Sequence, residues 1–324
     1  MGKFAWVVAF ALGVASAVAA PLKAALYVDR GCRGSGVIYW AEILRDAPDV
    51  DLRLVDGADI RGGALDDREL LVMPGGDGKP QYEALGDEGA ERIRRFVADG
   101  GKYFGTCCGF SIALNEDRKD RKRLKMLPFA NIRGNVRGGF TAEVDFTPRG
   151  AEWLGVKPGV HRIRYHNGPV VQMTKPVPNC AEVEVLATMK CELAQHGKVE
   201  GPMFGTPAVV RARYGKGAML VFNCHPEMFP KSRFIVAAGV RALTGREVRI
   251  VERPLKPRGA ERVGYFTGKL GSKRAVEGYF ALRADPAVDV VPITQDQLDE
   301  EWRGRFDRIV KPEPQPTKTK GGSK

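Results

Sequence analysis

Gly101-Lys-Tyr-Phe-Gly-Thr-Cys-Cys-Gly-Phe-Ser111 reads as a strand, a sharp turn and the start of a helix. Two aromatics in an extended run lead into Gly105-Thr106-Cys107-Cys108-Gly109, and Ile112, Ala113 and Leu114 begin the helix. Such a corner holds a side chain exposed above a sheet, and the helix behind it offers free N–H groups and the positive end of its dipole. Flanking glycines relieve the crowding, as in Gly-x-Ser-x-Gly elbows, with a thiol here in place of the hydroxyl. A cysteine at a helix N-terminus has its reactive thiolate form favoured. The pentapeptide is therefore either a nucleophile at Cys107 or a packed cysteine pair at an ordinary strand-to-helix turn.

Upstream, the chain alternates strand and helix. Ala24 to Asp29 is a short apolar strand, Arg30 to Gly36 a Gly-rich turn, and Val37 to Leu44 carries apolar residues at helical spacing with Ser35 as N-cap. The turn lacks both Gly-x-Gly-x-x-Gly and the Gly-Lys-Ser/Thr ending of nucleotide loops, which makes it a plain βα connection. Val50 to Val55 is a second strand, and the wholly apolar Leu70 to Met73 suits a buried parallel one. It runs into Pro74-Gly75-Gly76-Asp77-Gly78. That is a tight turn or, at the carboxyl edge where open α/β sheets bind, a place where backbone N–H groups approach a ligand. Asp87 to Ala98 is an amphipathic helix stopped by Gly100-Gly101. The alternation predicts an α/β fold with a doubly wound parallel sheet.

Downstream, the texture becomes strand-rich: Thr141 to Phe146, Val160 to Tyr165, Val183 to Met189, and Pro207 to Tyr214 joined through Gly215-Lys216-Gly217 to Ala218 to Asn223. These are antiparallel additions. Beyond the last stands Cys224-His225-Pro226-Glu227. In extended chain, residues two apart face the same way, and Pro226 disfavours a helical His225. An imidazole oriented by a carboxylate is the base that a cysteine nucleophile needs, although His-x-Glu by itself is a common pair.

After a helix from Phe234 to Leu243, the order of residues 24 to 74 returns. Leu282-Arg-Ala-Asp-Pro-Ala-Val-Asp-Val290 answers Leu44-Arg-Asp-Ala-Pro-Asp-Val-Asp-Leu52, and the copy stops before any elbow. So small a βαβαβ fragment buries little surface alone, so this half-repeat is expected to dock on the main domain or to pair subunits in a homo-oligomer. The expected organisation is a signal peptide (1–20), a main domain (21–250), a linker (251–261), the half-repeat (262–314) and a disordered basic tail (315–324).

Lys3, the apolar run Phe4 to Val18 and the small residues Ser16 to Ala20 have the form of a secretory signal. Export to the periplasm or the extracellular space is expected, with a soluble, not membrane-embedded mature chain, because no second apolar segment follows. An oxidising compartment would permit disulfides among the six cysteines, and Cys180 with Cys191 is the expected pair. No Cys-x-x-Cys or His/Cys cluster has zinc spacing, so neither metal nor cofactor is expected. Lys and Arg number 51 against 39 acidic residues, a net +12. The excess is spread out, apart from Arg118 to Lys125 and Lys318 to Lys324, and lacks the aromatic-lined stripe of a nucleic-acid binder.

In combination and in order, Leu71-Val-Met-Pro-Gly-Gly76, Gly101 to Gly109, Tyr165-His-Asn-Gly-Pro169 and Gly215 to Glu227 resemble the class I glutamine amidotransferase-like superfamily. The likeness is greatest to its group related to the N-terminal domain of biotin-protein ligases. The resemblance implies a flavodoxin-like sheet, Cys107 as nucleophile, His225 as base and Glu227 as its orienting partner. It also implies an oxyanion hole from the N–H of Cys108 and that of Gly75 or Gly76. Tyr165, Asn167 and Ser111 would then be substrate-facing, although Tyr165 to Pro169 reads equally as a plain turn. Amidotransferases that use glutamine carry a Gln at the position held here by Ser111, which argues against glutamine. The expected activity is thus an exported hydrolase or amidase acting on a small amide or ester. The alternatives are an inactive binding module with the same pocket or, third, a scaffold built on the half-repeat.

Overall fold

The computed structural model describes residues 20–116, 121–132, 138–195, 198–200, 203–253, 256–268, 270–294 and 304–312. The expected signal sequence up to residue 19 and the basic tail lie outside them. The first half alternates: β1 (Leu22–Tyr27), α1 (Ser35–Asp46), β2 (Val50–Val55), α2 (Gly57–Arg61), β3 (Leu70–Met73), α3 (Gly78–Ala98), β4 (Lys102–Thr106) and α4 (Cys108–Ala113). Next come β5 (Phe129–Asn131), β6 (Gly139–Phe146), α5 (Pro148–Leu154), β7 (Gly159–His166), β8 (Val171–Met173) and β9 (Cys180–Met189). The main body closes with β10 (Leu193–Gln195), β11 (Lys198–Glu200), β12 (Pro207–Tyr214), β13 (Gly217–Phe222) and α6 (Arg233–Thr244). The chain then adds β14 (Glu261–Phe266), α7 (Lys273–Ala284), β15 (Val288–Ile293) and β16 (Arg308–Val310).

A nine-stranded sheet in the order β2-β1-β3-β4-β13-β12-β9-β6-β7 organises the main body. Its pairings are parallel from β2 to β13 and antiparallel from there to β7. This is the doubly wound flavodoxin-like sheet with antiparallel additions. The apolar run of β3 is buried at all four residues, as a central parallel strand requires. Trp40, Phe104 and Phe222 are fully buried and in ring contact, so α1 is packed onto β4 and β13.

Local details depart from expectation for identifiable reasons. The N-cap of α1 is Gly34 rather than Ser35, and no side chain caps that helix; Ser35 is buried, with its hydroxyl 3.3 Å from that of Thr267. α3 begins nine residues earlier than the apolar pattern suggests, because Asp77 caps it by accepting from Lys79 N (3.2 Å) and the chain breaks and resumes at Gly86, where φ is 66°. All six cysteines are free, which corrects the expected Cys180–Cys191 bridge. Cys180 opens ten-residue β9 and Cys191 lies two residues past its end, with about 30 Å of extended chain between them, whereas a disulfide needs Cα atoms within roughly 7 Å.

The C-terminal strands form a separate parallel sheet, β15-β14-β16. It rests on the main body through α7, whose Arg283 forks onto Asp46 (2.6 and 2.9 Å) while Arg45 of α1 reaches Glu277 (2.9 Å). Lys273 bonds Asp56 (2.8 Å) and Asp59.

Candidate active site

β4 carries the chain into the corner at Cys107, whose φ of 53° and ψ of −103° lie outside the ordinary regions for a side-chain-bearing residue. A strained position of this kind costs on the order of 1–3 kcal/mol and persists only where surroundings hold it. They do so through its own backbone. Cys107 N–H donates to Phe222 O (2.8 Å), extending the β13 ladder, and Cys107 O accepts from Phe110 N (3.1 Å) and Ser111 N (3.0 Å). A Cβ at Gly109 would lie 2.0 Å from Met73 O, so only glycine lets the corner pack on the end of β3.

β13 delivers the second part. Just past it, His225 N–H donates to Arg164 O on β7 (2.7 Å), and a turn follows in which Met228 N–H returns to His225 O (3.2 Å). That turn, rather than extended chain, brings His225 Nδ1 to 2.7 Å from Glu227 Oε1. The imidazole hydrogen-bonds Cys107 as well as Glu227. Burial of His225 acts to lower its pKa, but negative charge at Cys107 and Glu227 and hydrogen bonds to both outweigh it, and the ring is pushed up to about 10.

Glu227 is fully buried. Its Oε1 also accepts from Thr106 Oγ1 (3.5 Å), which in turn accepts from Trp40 Nε1 (3.1 Å), while Oε2 has no hydrogen-bond partner among the described residues. The first turn of α1 closes over the pair: a Cβ at Gly36 would meet Glu227 Oε1 at 2.6 Å and His225 Nδ1 at 3.2 Å. Gly75 is as close on the other side, where a Cβ would meet His225 Cε1 at 2.7 Å and Cys107 Cβ at 3.6 Å.

The two cysteines of the elbow differ. Cys108 Sγ points back into the protein, donating to Gln81 Oε1 (3.1 Å), and burial raises its pKa. Behind it, Gln81 Nε2 reaches Cys32 Sγ (3.5 Å), and burial pushes Cys32 up to about 12. Cys107 Sγ instead faces the carbonyl of His166 (3.5 Å) and the imidazole. Cys108 opens α4, so its N–H has no carbonyl behind it within the helix. Gly76 packs against the turn after β1, where a Cβ would strike Gly31 O at 2.0 Å.

The remaining candidates adjoin residues that touch Cys107: Ser111 N–H bonds its carbonyl, and Tyr165 and Asn167 flank His166, whose carbonyl faces its sulfur. Tyr165 is fully buried and its hydroxyl donates to Gly168 O (2.8 Å). Asn167 sits exposed at φ 52°, its Oδ1 accepting from Gly138 N (2.6 Å). Ser111 lies half-buried on the second turn of α4. The sequence did not single out Gly36, Thr106, Trp40 or the His166 carbonyl. Gly36 belongs to the turn read as a plain βα connection, and only the neighbourhood of Glu227 reveals its part. Among the described residues, no three of His, Cys, Asp and Glu gather as a metal site.

Comparison with known proteins supports this architecture. Residues 65–122, which include β3, β4 and the elbow, match the family described as "Biotin-protein ligase, N terminal". The pyridoxal 5'-phosphate synthase subunit PdxT of Arthrobacter sp. (strain FB24) is 27% identical over 187 residues, covering 53% of this chain and 75% of that subunit. These two matches support a class I glutamine amidotransferase-like superfamily for the chain. A ThuA-like protein from Bacteroides uniformis shares this amidotransferase-like fold, with a TM-score of 0.51 at 14% identity, over 72% of this chain and 96% of that one. A ThuA-like protein from Parabacteroides merdae gives a TM-score of 0.46 at 14% identity, over 71% of this chain and 93% of that one.

Proposed function

We propose that the protein is an exported amidase or hydrolase that cleaves a small amide or ester through a thioester on Cys107. One observation carries this reading: a sulfur held at a strained strand-to-helix corner, facing an imidazole whose other nitrogen is 2.7 Å from a buried carboxylate. A nucleophile, a base and a group that orients the base are the minimum set for covalent acyl transfer.

The thiolate attacks the carbonyl carbon, a C–S bond forms and the carbonyl electrons move onto oxygen. The N–H groups of Cys108 and Gly75 are the donors for that oxyanion, a role typically worth about 2.7–4 kcal/mol per donor. The imidazolium of His225, stabilised by the negative charges around it, gives its proton to the departing amine or alcohol as the C–N or C–O bond breaks. His225, now neutral, takes a proton from water, and the hydroxide releases the acid from the thioester. Glu227 holds the ring in the tautomer these steps need. The full burial of Glu227 keeps that contact away from competing water.

An activity screen of small amides and esters, followed by mass spectrometry for a Cys107 acyl adduct, tests the reading. An adduct on Cys107 that is lost in Cys107→Ala supports it, and turnover that survives in Cys107→Ala overturns it. A second reading, a binding module without chemistry, is favoured by the 6% exposure of Cys107 and by Ser111 in the glutamine-binding position. It predicts ligand binding that is unchanged in Cys107→Ala and no adduct with any substrate.

Among the described residues, no helix is long and apolar enough to cross a membrane. Export rests on the N-terminal signal, and N-terminal sequencing of the mature protein tests it.

A further inference from the structure

We propose that the C-terminal half-repeat is a working part of this site, and that Thr267 and Tyr279 are positioning residues that fix Glu227 against His225. The inference rests on the Cys107–His225–Glu227 reading above. Two separate paths lead from the half-repeat to the same glutamate, one to its carboxylate and one to its backbone.

The first path runs through the start of α1. That helix has a glycine N-cap, so no side chain of its own caps its first turn. Thr267 holds it from the half-repeat. Its carbonyl accepts from Gly34 N (2.9 Å), and its hydroxyl, which donates to Ile293 O (2.8 Å), stands 3.3 Å from the hydroxyl of Ser35. A second clasp, from Gly271 N to Cys32 O (3.1 Å), holds the turn before it. The next residue along is Gly36, whose backbone lies against Glu227 Oε1 and His225 Nδ1. The half-repeat thus sets the wall against which the carboxylate rests. The same helix end carries partial positive charge suited to an anion there.

The second path is ionic and buried. Tyr279 of α7 donates to Glu42 Oε1 (2.6 Å), and Glu42 Oε2 accepts from Arg233 Nη2 (3.2 Å). Arg233 Nε in turn donates to the backbone carbonyl of Glu227 (3.2 Å). Glu42, Arg233 and Arg283 are nearly buried, and burial with the charge of Glu42 raises the Tyr279 pKa. Buried charges of this kind are poor sources of stability compared with an apolar contact of the same size, and their better-attested use is to fix geometry. A docked segment that served only to cover α1 would need none of them.

The test follows the alkylation of Cys107 by iodoacetamide against pH in the full chain, with peptide mass spectrometry and a thermal melt on each variant. The His225→Asn variant sets the scale by removing the base. The Thr267→Val/Tyr279→Phe double variant should lose about tenfold in Cys107 alkylation rate at pH 6, the equivalent of one pKa unit in the pair. Tyr279→Phe alone, which deletes one oxygen, should lose part of it, and Thr267→Ser should restore the first path. Glu261→Gln, in an exposed pair of the same half-repeat, should leave the rate unchanged. If the double variant does not fold, Tyr279→Phe alone decides. A shifted His225→Asn profile with Thr267 and Tyr279 variants that superimpose on wild type would overturn the inference and leave the triad reading standing. A His225→Asn profile that superimposes on wild type would overturn both.

Discussion

Two regions of the chain are built in the same register and put to different use. In β1, Leu22 to Tyr27 pairs with Val50 to Val55, and Ala24 faces Leu70; in β14, Glu261 to Phe266 pairs with Val288 to Ile293, and Val263 faces Arg308. Even the closing bonds correspond, Val28 N to Val55 O and Thr267 N to Ile293 O, both 2.8 Å. The first copy continues through Pro74-Gly75 into β4 and the Cys107 corner, whereas the second has no fourth strand among the described residues. Counting from the paired Leu44 and Leu282, Arg274 stands where the first copy has Gly36, and Phe280 where it has Glu42. A shared ladder therefore specifies a shape. The proposed chemistry needs the extra strand, and the close approach of α1 to Glu227 needs a residue without a side chain.

The sharpest way to break the comparison is at what only the first copy owns. Cys107→Ala should reduce any hydrolytic rate by about 10⁴-fold or more, as the loss of a nucleophile does, measured as turnover on the screened substrate. Next comes the contact between the copies. Glu42→Ala leaves Arg233 without its buried carboxylate and should destabilise the chain by about 3–5 kcal/mol, read from denaturant unfolding. Exchanging the residue that differs at the helix start is third. In Gly36→Ala the new Cβ would press on Glu227 Oε1, and a displacement of that size should cost about 10²-fold in turnover with little loss of melting temperature.

The smallest effect belongs to the rim of the interface. Burial acts to raise the Asp56 carboxyl, yet the Lys273 ammonium and backbone N–H groups hold it below the usual range. A depressed carboxylate contributes stability above its unfolded pKa, about 3.9, and loses it as pH falls through its folded value. Lys273→Met should thus melt slightly below wild type at pH 7, by at most about 1 kcal/mol, and the gap should shrink as pH falls through the folded value of Asp56.

The strand–turn–helix shape of the elbow was legible because strand, glycines, cysteine and helix are contiguous, although contacts from β13 and β3 are what hold the corner. The repeat was legible for a related reason: Leu44 to Leu52 and Leu282 to Val290 carry the same end-of-helix and start-of-strand chemistry. What encloses Glu227 was not legible. Gly36, Glu42, Arg233 and Tyr279 are ordinary residues in ordinary elements, and Glu42 meets Tyr279 across a sequence separation of 237. Contacts at that range depend on how sheets and helices stack, which no local pattern encodes. The His225–Glu227 pair falls between. The spacing foretold that they meet, but a turn closed by Met228 N–H achieves it rather than a strand. The Cys180–Cys191 expectation failed because proximity in sequence is distance in space along an extended strand.

Trp40 has a consequence of its own. Its indole is fully buried, edge-on to Phe104, and its N–H ends on Thr106, one residue before the corner cysteine. It also rides on the helix gripped by the half-repeat. An intrinsic fluorophore therefore ends one residue from Cys107 with no label added, and the emission difference between the chain, which has four tryptophans, and a Trp40→Phe variant is expected to report occupancy at Cys107.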